Sequence, residues 1–376
     1  MATGTHVIPV LLMVRELDQG GVERDVAKIA THLDPQRFEP HVASYRSDGM
    51  RYEELRAAGV PLLHIPLESI FSARALRAAL RLRRYLRDHG IRILHAYDVS
   101  GVLGVPVARS LNLPVIISSQ LSYRGILDSR TQFLLRVTDL LSDAVLVNCE
   151  AIQRHMIEDV GVPARRIELC YNGVDTTQFF PADTPKPEAL SRASLVVGTV
   201  CALRPEKKLN LLQEAFAQLS WQGGNLKLVI VGSGPELQRL EANAARLGIA
   251  GASVHVPATP EVNIWLRAMD IFVLPSSSEG FSNSLLEAMS CGCAVVGSRV
   301  GGTPELIGAD ERGLLFTSGD SADLARKLAK LIECESLRRE FGTRAARFAS
   351  ENLTIEIAAS RTADMYERLL RRSQSG

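Results

Sequence analysis

Two glutamates, Glu279 and Glu287, lie on either side of the point where a predicted strand passes into a predicted helix. The apolar run at 271–274 predicts the strand, and Ser282 marks the expected start of the helix after a polar loop. The first amides of such a helix, helped by its dipole, bind anions such as a diphosphate. Glu287 lies about 6 Å beyond Asn283 along the helix, and a carboxylate accepts hydrogen bonds from both hydroxyl groups of a ribose. The spacing therefore indicates a nucleotide site with a sugar near Glu279; a solvated loop acid and a helix-surface acid are the alternative interpretation.

A glycine pair, Gly20 and Gly21, follows the first predicted strand and precedes a predicted helix. Glycine allows the backbone to approach a ligand closely, and the next helix offers unpaired N–H groups to an anion. A plain tight turn explains the same residues equally well. The chain has no G-x-G-x-x-G sequence and no Walker A sequence, which weakens the case for a dinucleotide oxidoreductase or a P-loop NTPase.

Metal chemistry finds no support in the residue spacing. The chain has no Asp-x-Asp sequence, which often holds a metal–diphosphate complex, and no H-E-x-x-H sequence. The six cysteines are scattered, and Cys291 and Cys293 are too close for the usual zinc spacing. We expect free, mostly buried thiols and no metal site.

Composition narrows the class of protein. The chain has 376 residues, of which 46% are hydrophobic and 23% charged, as in ordinary globular proteins of about two domains. Lys and Arg total 43 against 42 Asp and Glu, so the formal net charge of +1 gives no reason to expect nucleic acid. The longest apolar run, at 7–14, is far shorter than the about 20 residues of a membrane-spanning helix. It also lacks the flanking features of a signal peptide.

Short apolar runs alternate with helical patterns along the chain, which predicts parallel sheets covered by helices on both faces. Strands are predicted at 7–14, 39–45, 62–65, 91–95, 115–118, 144–148, 195–201, 226–231, 253–256, 271–274, 294–297 and 313–316. The proline-rich segment 180–192 is the predicted linker. We therefore expect an α/β protein with two doubly wound, Rossmann-like domains, 1–178 and 179–355, and ligands in the cleft between them.

Several segments in chain order resemble the motifs of the family 4 glycosyltransferases, which have the GT-B fold. The E-x7-E pair Glu279 and Glu287 is the most specific of them, and the resemblance covers nearly the whole chain. The other segments are Gly20-Gly21-Val22-Glu23, Tyr171-Asn172-Gly173-Val174-Asp175, Arg204-Pro205-Glu206-Lys207, Val231-Gly232-Ser233-Gly234-Pro235-Glu236-Leu237 and Val300-Gly301-Gly302-Thr303-Pro304-Glu305-Leu306. The resemblance implies that the C-terminal helix, 356–376, crosses back onto the first domain.

The resemblance also implies roles for individual residues. Lys207 should contact the donor diphosphate, Glu287 the ribose and Glu279 the hexose hydroxyls. The remaining residues expected to bind the donor are Gly20, Gly21, Gly280, Phe281, Ser282, Asn283 and Ser284. The nucleotide base should lie near 256–260. The donor, a UDP- or GDP-linked sugar, is a substrate, and no cofactor or metal is expected.

The chain departs from the family pattern at two positions. Ala202 stands where the family has an arginine, so we expect Arg204 to supply the missing charge. Tyr97 replaces the second histidine of an H-x-H segment, which leaves His95 as a catalytic candidate on the sugar or acceptor side. A strand-end histidine satisfied by backbone groups is the alternative for His95. Asp98 and Arg124 join Tyr97 as candidate acceptor contacts.

The resemblance implies a retaining, metal-independent glycosyltransferase that moves a hexosyl or N-acetylhexosaminyl group onto a glycan or lipid-linked acceptor. Such an enzyme would serve polysaccharide or cell-envelope synthesis. A sugar-nucleotide epimerase with the same fold would share the donor site but have no acceptor. A non-catalytic protein that binds nucleotide sugars is the third interpretation, motivated by Ala202 and Tyr97.

An arginine-rich stretch at 73–88 predicts a basic amphipathic helix. Its only acid is Asp88, and its apolar face is expected to comprise Ala73, Leu76, Ala79, Leu80, Leu82 and Tyr85. Arginines on one helix are attracted to anionic lipid. We expect either peripheral contact with the inner face of the cytoplasmic membrane or a solvated surface helix of a cytoplasmic protein.

Overall fold

The computed structural model describes residues 7–18, 20–69, 71–72, 74–219 and 224–375. Two compact α/β units make up the chain. Unit 1 comprises residues 1–173 and 355–376, and unit 2 comprises 174–354.

Unit 1 contains a seven-stranded parallel sheet. Its strands are β1 (Ile8–Val14), β2 (Phe38–Ser44), β3 (Leu62–His64), β4 (Ile93–Tyr97), β5 (Val115–Gln120), β6 (Ala144–Val147) and β7 (Ile167–Leu169). Their order across the sheet is β3-β2-β1-β4-β5-β6-β7. The order reverses between β1 and β4, and loops at such a switch point commonly bind ligands in this fold class.

Helices cover both faces of the unit 1 sheet. They are α1 (Gly21–His32), α2 (Met50–Ala57), α3 (Arg74–Asp88), α4 (Gly101–Arg109), α5 (Ser129–Leu141), α6 (Glu150–Glu158) and, from the end of the chain, α14 (Ile355–Ser375). Val10 and Leu12 of β1 pack with α1 and α14, whereas Leu11 and Met13 pack with α3 and α4. Burial on both faces explains why the strand reads as a continuous apolar run.

Unit 2 contains a six-stranded parallel sheet. Its strands are β8 (Leu195–Val200), β9 (Leu226–Val231), β10 (Ser253–Val256), β11 (Ile271–Leu274), β12 (Ala294–Ser298) and β13 (Gly313–Phe316). The strand order is β10-β9-β8-β11-β12-β13, so the switch point lies between β8 and β11. The helices of this unit are α7 (Leu209–Ala217), α8 (Leu237–Arg246), α9 (Val262–Ala268), α10 (Asn283–Ser290), α11 (Thr303–Ile307), α12 (Ser321–Glu333) and α13 (Glu335–Asn352).

The chain passes from unit 1 to unit 2 after Gly173 and returns before Ile355. The predicted linker at 180–192 therefore lies inside unit 2, which corrects the sequence interpretation. Its Leu190 side chain is fully buried, and the guanidinium of Arg267 stacks on the ring of Phe180. Prolines restrict the backbone of this segment, and the packing of Leu190 and Phe180 holds it in unit 2.

Among the described residues, no helix is both long enough and apolar enough to cross a membrane. All six cysteines are free thiols. Four of them are buried, and Cys201 and Cys334 are half-buried.

Candidate functional site

The switch point of unit 2 brings together two loops that are far apart in sequence. One loop follows β8 and contains Lys207; the other follows β11 and contains Glu279. Because β8 and β11 are neighbouring parallel strands, both loops leave the same edge of the sheet. The Lys207 Nζ lies 2.6 Å from Glu279 Oε1. The structure therefore joins two of the predicted site residues in one ion pair.

The environment of Lys207 keeps its ammonium charged. Burial lowers the pKa of Lys207, but the charge of Glu279 and the hydrogen bond to it outweigh burial, so the pKa is raised overall. Ser276 Oγ also donates a hydrogen bond to Glu279 Oε1, at 2.5 Å. A fixed cation and an oriented carboxylate thus stand side by side.

Helix α10 begins directly after the Glu279 loop, with Ser282 as its N-cap residue. The Ser282 hydroxyl accepts a hydrogen bond from the Leu285 amide at 3.4 Å. The Leu285 amide is therefore already engaged by the cap. A contact this long is weak, so an anion can displace it at little cost.

Glu287 lies on α10 with only 1% of its surface exposed. Burial, with a smaller contribution from the Glu287 carboxylate, raises the pKa of the neighbouring Cys291 thiol to about 12. Burying a carboxylate costs several kcal/mol before compensation. Glu287 lies one helical turn beyond the start of α10, which keeps it a candidate for ligand binding.

The glycines of the segment 232–234 shape the loop that carries Lys207. Gly232 and Gly234 have positive φ angles of 150° and 157°. A Cβ atom at Gly232 would lie 1.8 Å from the carbonyl oxygen of Cys201, and one at Gly234 would lie 2.5 Å from that of Leu203. Only glycine permits this approach, so this motif supports the chain just before Lys207.

Arg204 begins the short turn that ends at Lys207. Its side chain is exposed and forms no hydrogen bond or ion pair with the described part of the chain. Ala202 is also exposed. The structure thus leaves the Arg204 guanidinium accessible but does not bring it to Glu279.

In unit 1, Gly20 is the N-cap residue of α1, so no side chain at that position caps the helix. A Cβ atom at Gly20 would lie 1.8 Å from the Glu23 Oε2. The Glu23 carboxylate therefore lies against the helix start where the sequence predicted an anion. Because this carboxylate is the mobile end of a long side chain and Gly20 has an ordinary φ of -67°, the structure does not by itself require glycine at position 20.

His95 and Tyr97 are core residues in unit 1, which corrects the prediction that His95 contacts a substrate. The imidazole is 1% exposed, with Nδ1 2.7 Å from the Tyr366 hydroxyl and Nε2 2.6 Å from the Ser119 hydroxyl. Tyr97 is 4% exposed and stacks on the imidazole. Burial lowers the pKa of His95 to about 3, so the ring is neutral. Both ring nitrogens are occupied by side chains of the core.

Arg124 is likewise buried, at 4% exposure, and pairs with Asp139 at 2.6 Å. This pairing corrects its assignment as an acceptor contact. Asp98, in contrast, has a positive φ of 49°, an uncommon backbone conformation for a non-glycine residue. Burial raises the pKa of Asp98 to about 6 despite a hydrogen bond from the Leu121 backbone. Asp98 therefore remains a candidate.

No sequence pattern indicated two side chains of α1 that hold the end of unit 1. Asp25 accepts a hydrogen bond from the Asn172 side chain at 2.9 Å, and Lys28 donates one to the Gly173 carbonyl at 2.9 Å. These contacts explain the Asn and Gly of the segment 172–175 as anchors of the chain before it enters unit 2. They join residues about 145 positions apart, so local pattern cannot reveal them.

Among the residues that the structure describes, no group of three or more His, Cys, Asp or Glu side chains is arranged to hold a metal ion. The charged groups at the unit 2 site are instead the Lys207–Glu279 pair, the nearby Arg204 and the buried Glu287.

Comparison with protein families agrees with the motif pattern. Residues 19–178 match the family described as Glycosyltransferase Family 4, and residues 183–348 match the family described as Glycosyl transferases group 1. The chain belongs to the family 4 glycosyltransferases. The two matches are consecutive and together span most of its length.

Curated relatives of this glycosyltransferase are moderately similar in sequence. N-acetyl-alpha-D-glucosaminyl L-malate synthase of Bacillus anthracis is 30% identical over 217 residues, covering 57% of this chain and 57% of that protein. D-inositol 3-phosphate glycosyltransferase of Acidothermus cellulolyticus is 28% identical over 351 residues, covering 85% of this chain and 76% of that protein. The chain thus spans little more than half the length of the first relative.

Solved structures show that the fold is GT-B. Anabaena Alr3699/HepE in complex with UDP and glucose superimposes with a TM-score of 0.85 at 22% identity, covering 96% of this chain and all of that one. WaaG, a glycosyltransferase involved in lipopolysaccharide biosynthesis, gives a TM-score of 0.73 at 16% identity, covering 95% of this chain and 99% of its own.

Proposed function

We propose that this protein transfers a hexosyl or N-acetylhexosaminyl group from a UDP- or GDP-linked donor to a hydroxyl acceptor, with retention and without a metal ion. One observation carries the proposal. At the switch point of unit 2, a lysine and a glutamate that are 72 residues apart meet beside the start of α10. This arrangement offers a cation and a helix N-terminus to a diphosphate, next to a carboxylate suited to sugar hydroxyls.

The donor-side roles follow from this geometry. The Lys207 ammonium and the first turn of α10 bind the diphosphate, assisted by Arg204, while Gly280, Phe281, Ser282, Asn283 and Ser284 form the wall of the site. Glu287 binds the ribose, because a carboxylate can accept hydrogen bonds from both of its hydroxyl groups. Glu279 contacts the hexose, and the base lies near 256–260. The complex of Alr3699/HepE with UDP and glucose supports a donor of this class.

In the proposed reaction, the bond between the anomeric carbon and the diphosphate breaks, and the diphosphate leaves with the electron pair. Lys207 and the helix dipole stabilise the negative charge that develops, which is the task a metal ion performs in other transferases. The acceptor oxygen bonds to the same face of the anomeric carbon, and its proton passes to the departing phosphate. Family membership supports retention.

A thermal-shift panel of UDP-, GDP- and ADP-sugars tests this function. A donor at 100 times its Kd stabilises the protein that binds it by about 2.7 kcal/mol. We expect a shift with one UDP- or GDP-sugar and a smaller shift in Glu287→Ala. The absence of any shift with all donors at millimolar concentration contradicts the proposal.

We also propose that α3 contacts an anionic membrane, where a lipid-linked acceptor is available at the cytoplasmic face. Ala78, Leu82 and Leu86 face the core, but Leu76 and Leu80 are 68% and 57% exposed. The predicted apolar face is therefore divided: Leu82 packs inward, whereas Leu76 and Leu80 point outward. Residue 73 lies outside the described part of the chain.

The outward surface of α3 combines these leucines with five exposed arginines. They are Arg74, Arg77, Arg81, Arg84 and Arg87. The nearby Phe71 is 73% exposed. Each arginine near an anionic bilayer contributes about 1 kcal/mol, and the leucines gain further by leaving water. Charge complementarity and exposed apolar groups on one surface support an anionic bilayer as its partner.

A further inference from the structure

The two oxygens of the Glu279 carboxylate differ in their contacts. Lys207 Nζ and Ser276 Oγ both donate hydrogen bonds to Oε1, at 2.6 and 2.5 Å. No described residue donates a hydrogen bond to Oε2. The side chain is 10% exposed. The chain therefore uses one oxygen and leaves the other to accept hydrogen bonds from a ligand.

The backbone of Ser276 is anchored to the neighbouring strand β12. It is fully buried, and its carbonyl oxygen accepts a hydrogen bond of 2.6 Å from the Ser298 hydroxyl at the end of β12. This contact anchors the Ser276 backbone to the end of β12, and burial limits the directions that its hydroxyl can take. A side chain fixed in this way orients the group that it contacts.

The far end of the Glu279 loop rests on the segment that follows β12. The Gly302 amide donates a hydrogen bond to the Gly280 carbonyl at 2.9 Å. Gly301 has a φ of 53°, and a Cβ atom there would lie 1.9 Å from the Glu279 carbonyl oxygen. The glycine pair at 301–302 therefore supports the backbone of Glu279. These glycines have no other role in the proposed donor site.

We propose that Ser276 and Gly301 are positioning residues that determine how well the site binds the sugar part of the donor. Ser276 fixes the Glu279 carboxylate through Oε1, and Gly301 fixes its backbone, so that Oε2 meets the sugar hydroxyls at one orientation. This inference rests on the proposed function, because it assumes that a nucleotide sugar occupies the unit 2 site. It assigns no contact between these two residues and the ligand.

The positioning role predicts a difference between two ligands that share a nucleotide. UDP lacks the hexose, whereas UDP-glucose carries it; GDP and GDP-mannose form a second such pair. Calorimetry on the whole protein with the pair that the wild type binds measures both affinities. In Ser276→Ala we expect the nucleoside diphosphate to bind within twofold of wild type and the nucleotide sugar about tenfold more weakly, which is about 1.4 kcal/mol.

Ser277→Ala is the matched control. Ser277 is the next residue of the same loop, but it is exposed and its hydroxyl donates to the Glu206 carbonyl, which its own amide also contacts. We expect both affinities to stay within twofold of wild type. Ser276→Cys keeps the side-chain shape, with a slightly larger atom and a weaker donor, so it should lose sugar affinity to an intermediate degree and serves if the alanine variant is unstable.

Three outcomes overturn the inference. Equal losses for nucleotide and nucleotide sugar in Ser276→Ala and Ser276→Cys show a merely structural serine. Unchanged affinity for both ligands shows that Glu279 needs no such support. If the wild type binds neither member of any pair, the proposed function itself fails, and the inference fails with it.

Discussion

Glu279 accepts two hydrogen bonds from its own chain at one oxygen, so its carboxylate is oriented before a donor arrives. Lys207 is held by the same contact, and its raised pKa keeps it positively charged. Groups fixed in advance stabilise a developing charge without reorganisation, which is the main source of electrostatic catalysis. The pair is therefore suited both to bind a diphosphate and to assist its departure.

Lys207→Ala should weaken donor binding and lower turnover together, because it removes positive charge in the ground state and the transition state. The loss of one such stabilising group lowers kcat by about 100- to 1000-fold. Glu279→Ala should lower turnover and also weaken binding of the nucleotide sugar, because its carboxylate meets the sugar hydroxyls, whereas Glu287→Ala should mainly weaken binding. Steady-state kinetics with the identified donor measures both effects.

Lys208→Asn is the control for Lys207, since Lys208 is the exposed neighbour with a φ of 49°, and asparagine tolerates that conformation. Its kinetics should match wild type. Near-normal kinetics in Lys207→Ala would remove the lysine from the donor site. An unaffected Arg204→Ala variant would show that no second cation comes from that residue.

His95 makes unit 1 sensitive to acid. Its pKa is about 3 in the folded chain and 6.5 when unperturbed. Between these values the unfolded chain binds a proton that the folded chain does not, so stability falls as the pH falls. We expect a loss of about 2 kcal/mol between pH 7 and pH 5, measured by hydrogen exchange of β4 and β5.

His95→Gln should reduce this pH dependence, whatever its effect on absolute stability. His32→Gln, at an exposed histidine of α1, should leave it unchanged. If His95→Gln and wild type lose equal stability over this pH range, the imidazole is not buried as a neutral group.

Among the elements, α3 has the most distinctive surface. Its inner residues pack on the sheet, while its outer surface carries Leu76, Leu80 and exposed arginines. Leu76 and Leu80 are each more than half exposed, on the same helix as the exposed arginines. The surface therefore fits a partner that is both anionic and apolar.

Flotation with phosphatidylglycerol liposomes tests this surface. We expect binding at low salt that falls as ionic strength screens the arginines. Replacing Arg77, Arg81 and Arg84 by serine should abolish flotation, and Leu76→Ser with Leu80→Ser should weaken it. Replacing three exposed arginines of α13, Arg339, Arg344 and Arg347, is the matched control. Wild-type protein that stays at the bottom contradicts membrane contact.

Most elements of both sheets were predictable because strands buried on two faces read as apolar runs. The three-residue strand β7 was not, since so few residues carry no clear period. The apolar face of α3 was predicted only in part: Leu82 packs inward, but Leu76 and Leu80 are exposed. Short elements and helices with leucines on both faces therefore limit what the sequence pattern can predict.

The site was predictable only where residues form a motif. Glu279, Glu287 and Lys207 stand in recognisable segments, but the role of Ser276 depends on a loop geometry that spacing does not show. His95 illustrates the opposite case: its partner Tyr366 lies 271 residues away on α14. Such long-range partners decide whether a polar residue serves a ligand or the core.

At the scale of the whole molecule, two α/β units each carry a switch point with polar loops, and family similarity covers both units. In unit 2 the loops hold the proposed donor residues. In unit 1 the corresponding loops hold Gly20, Glu23 and Asp98, whereas His95 and Arg124 belong to the interior. Fewer residues of unit 1 are therefore candidates for contact with an acceptor than the sequence indicated.

The most direct measurement follows a donor labelled in its sugar, incubated with the protein and a cell-envelope extract. We expect the nucleoside diphosphate to be released and the label to enter a new product, with both signals lost in the Lys207→Ala, Glu279→Ala double variant. A sugar-nucleotide epimerase would instead convert the donor without any acceptor. Intact donor after incubation with wild type, across all UDP- and GDP-sugars, would contradict glycosyl transfer.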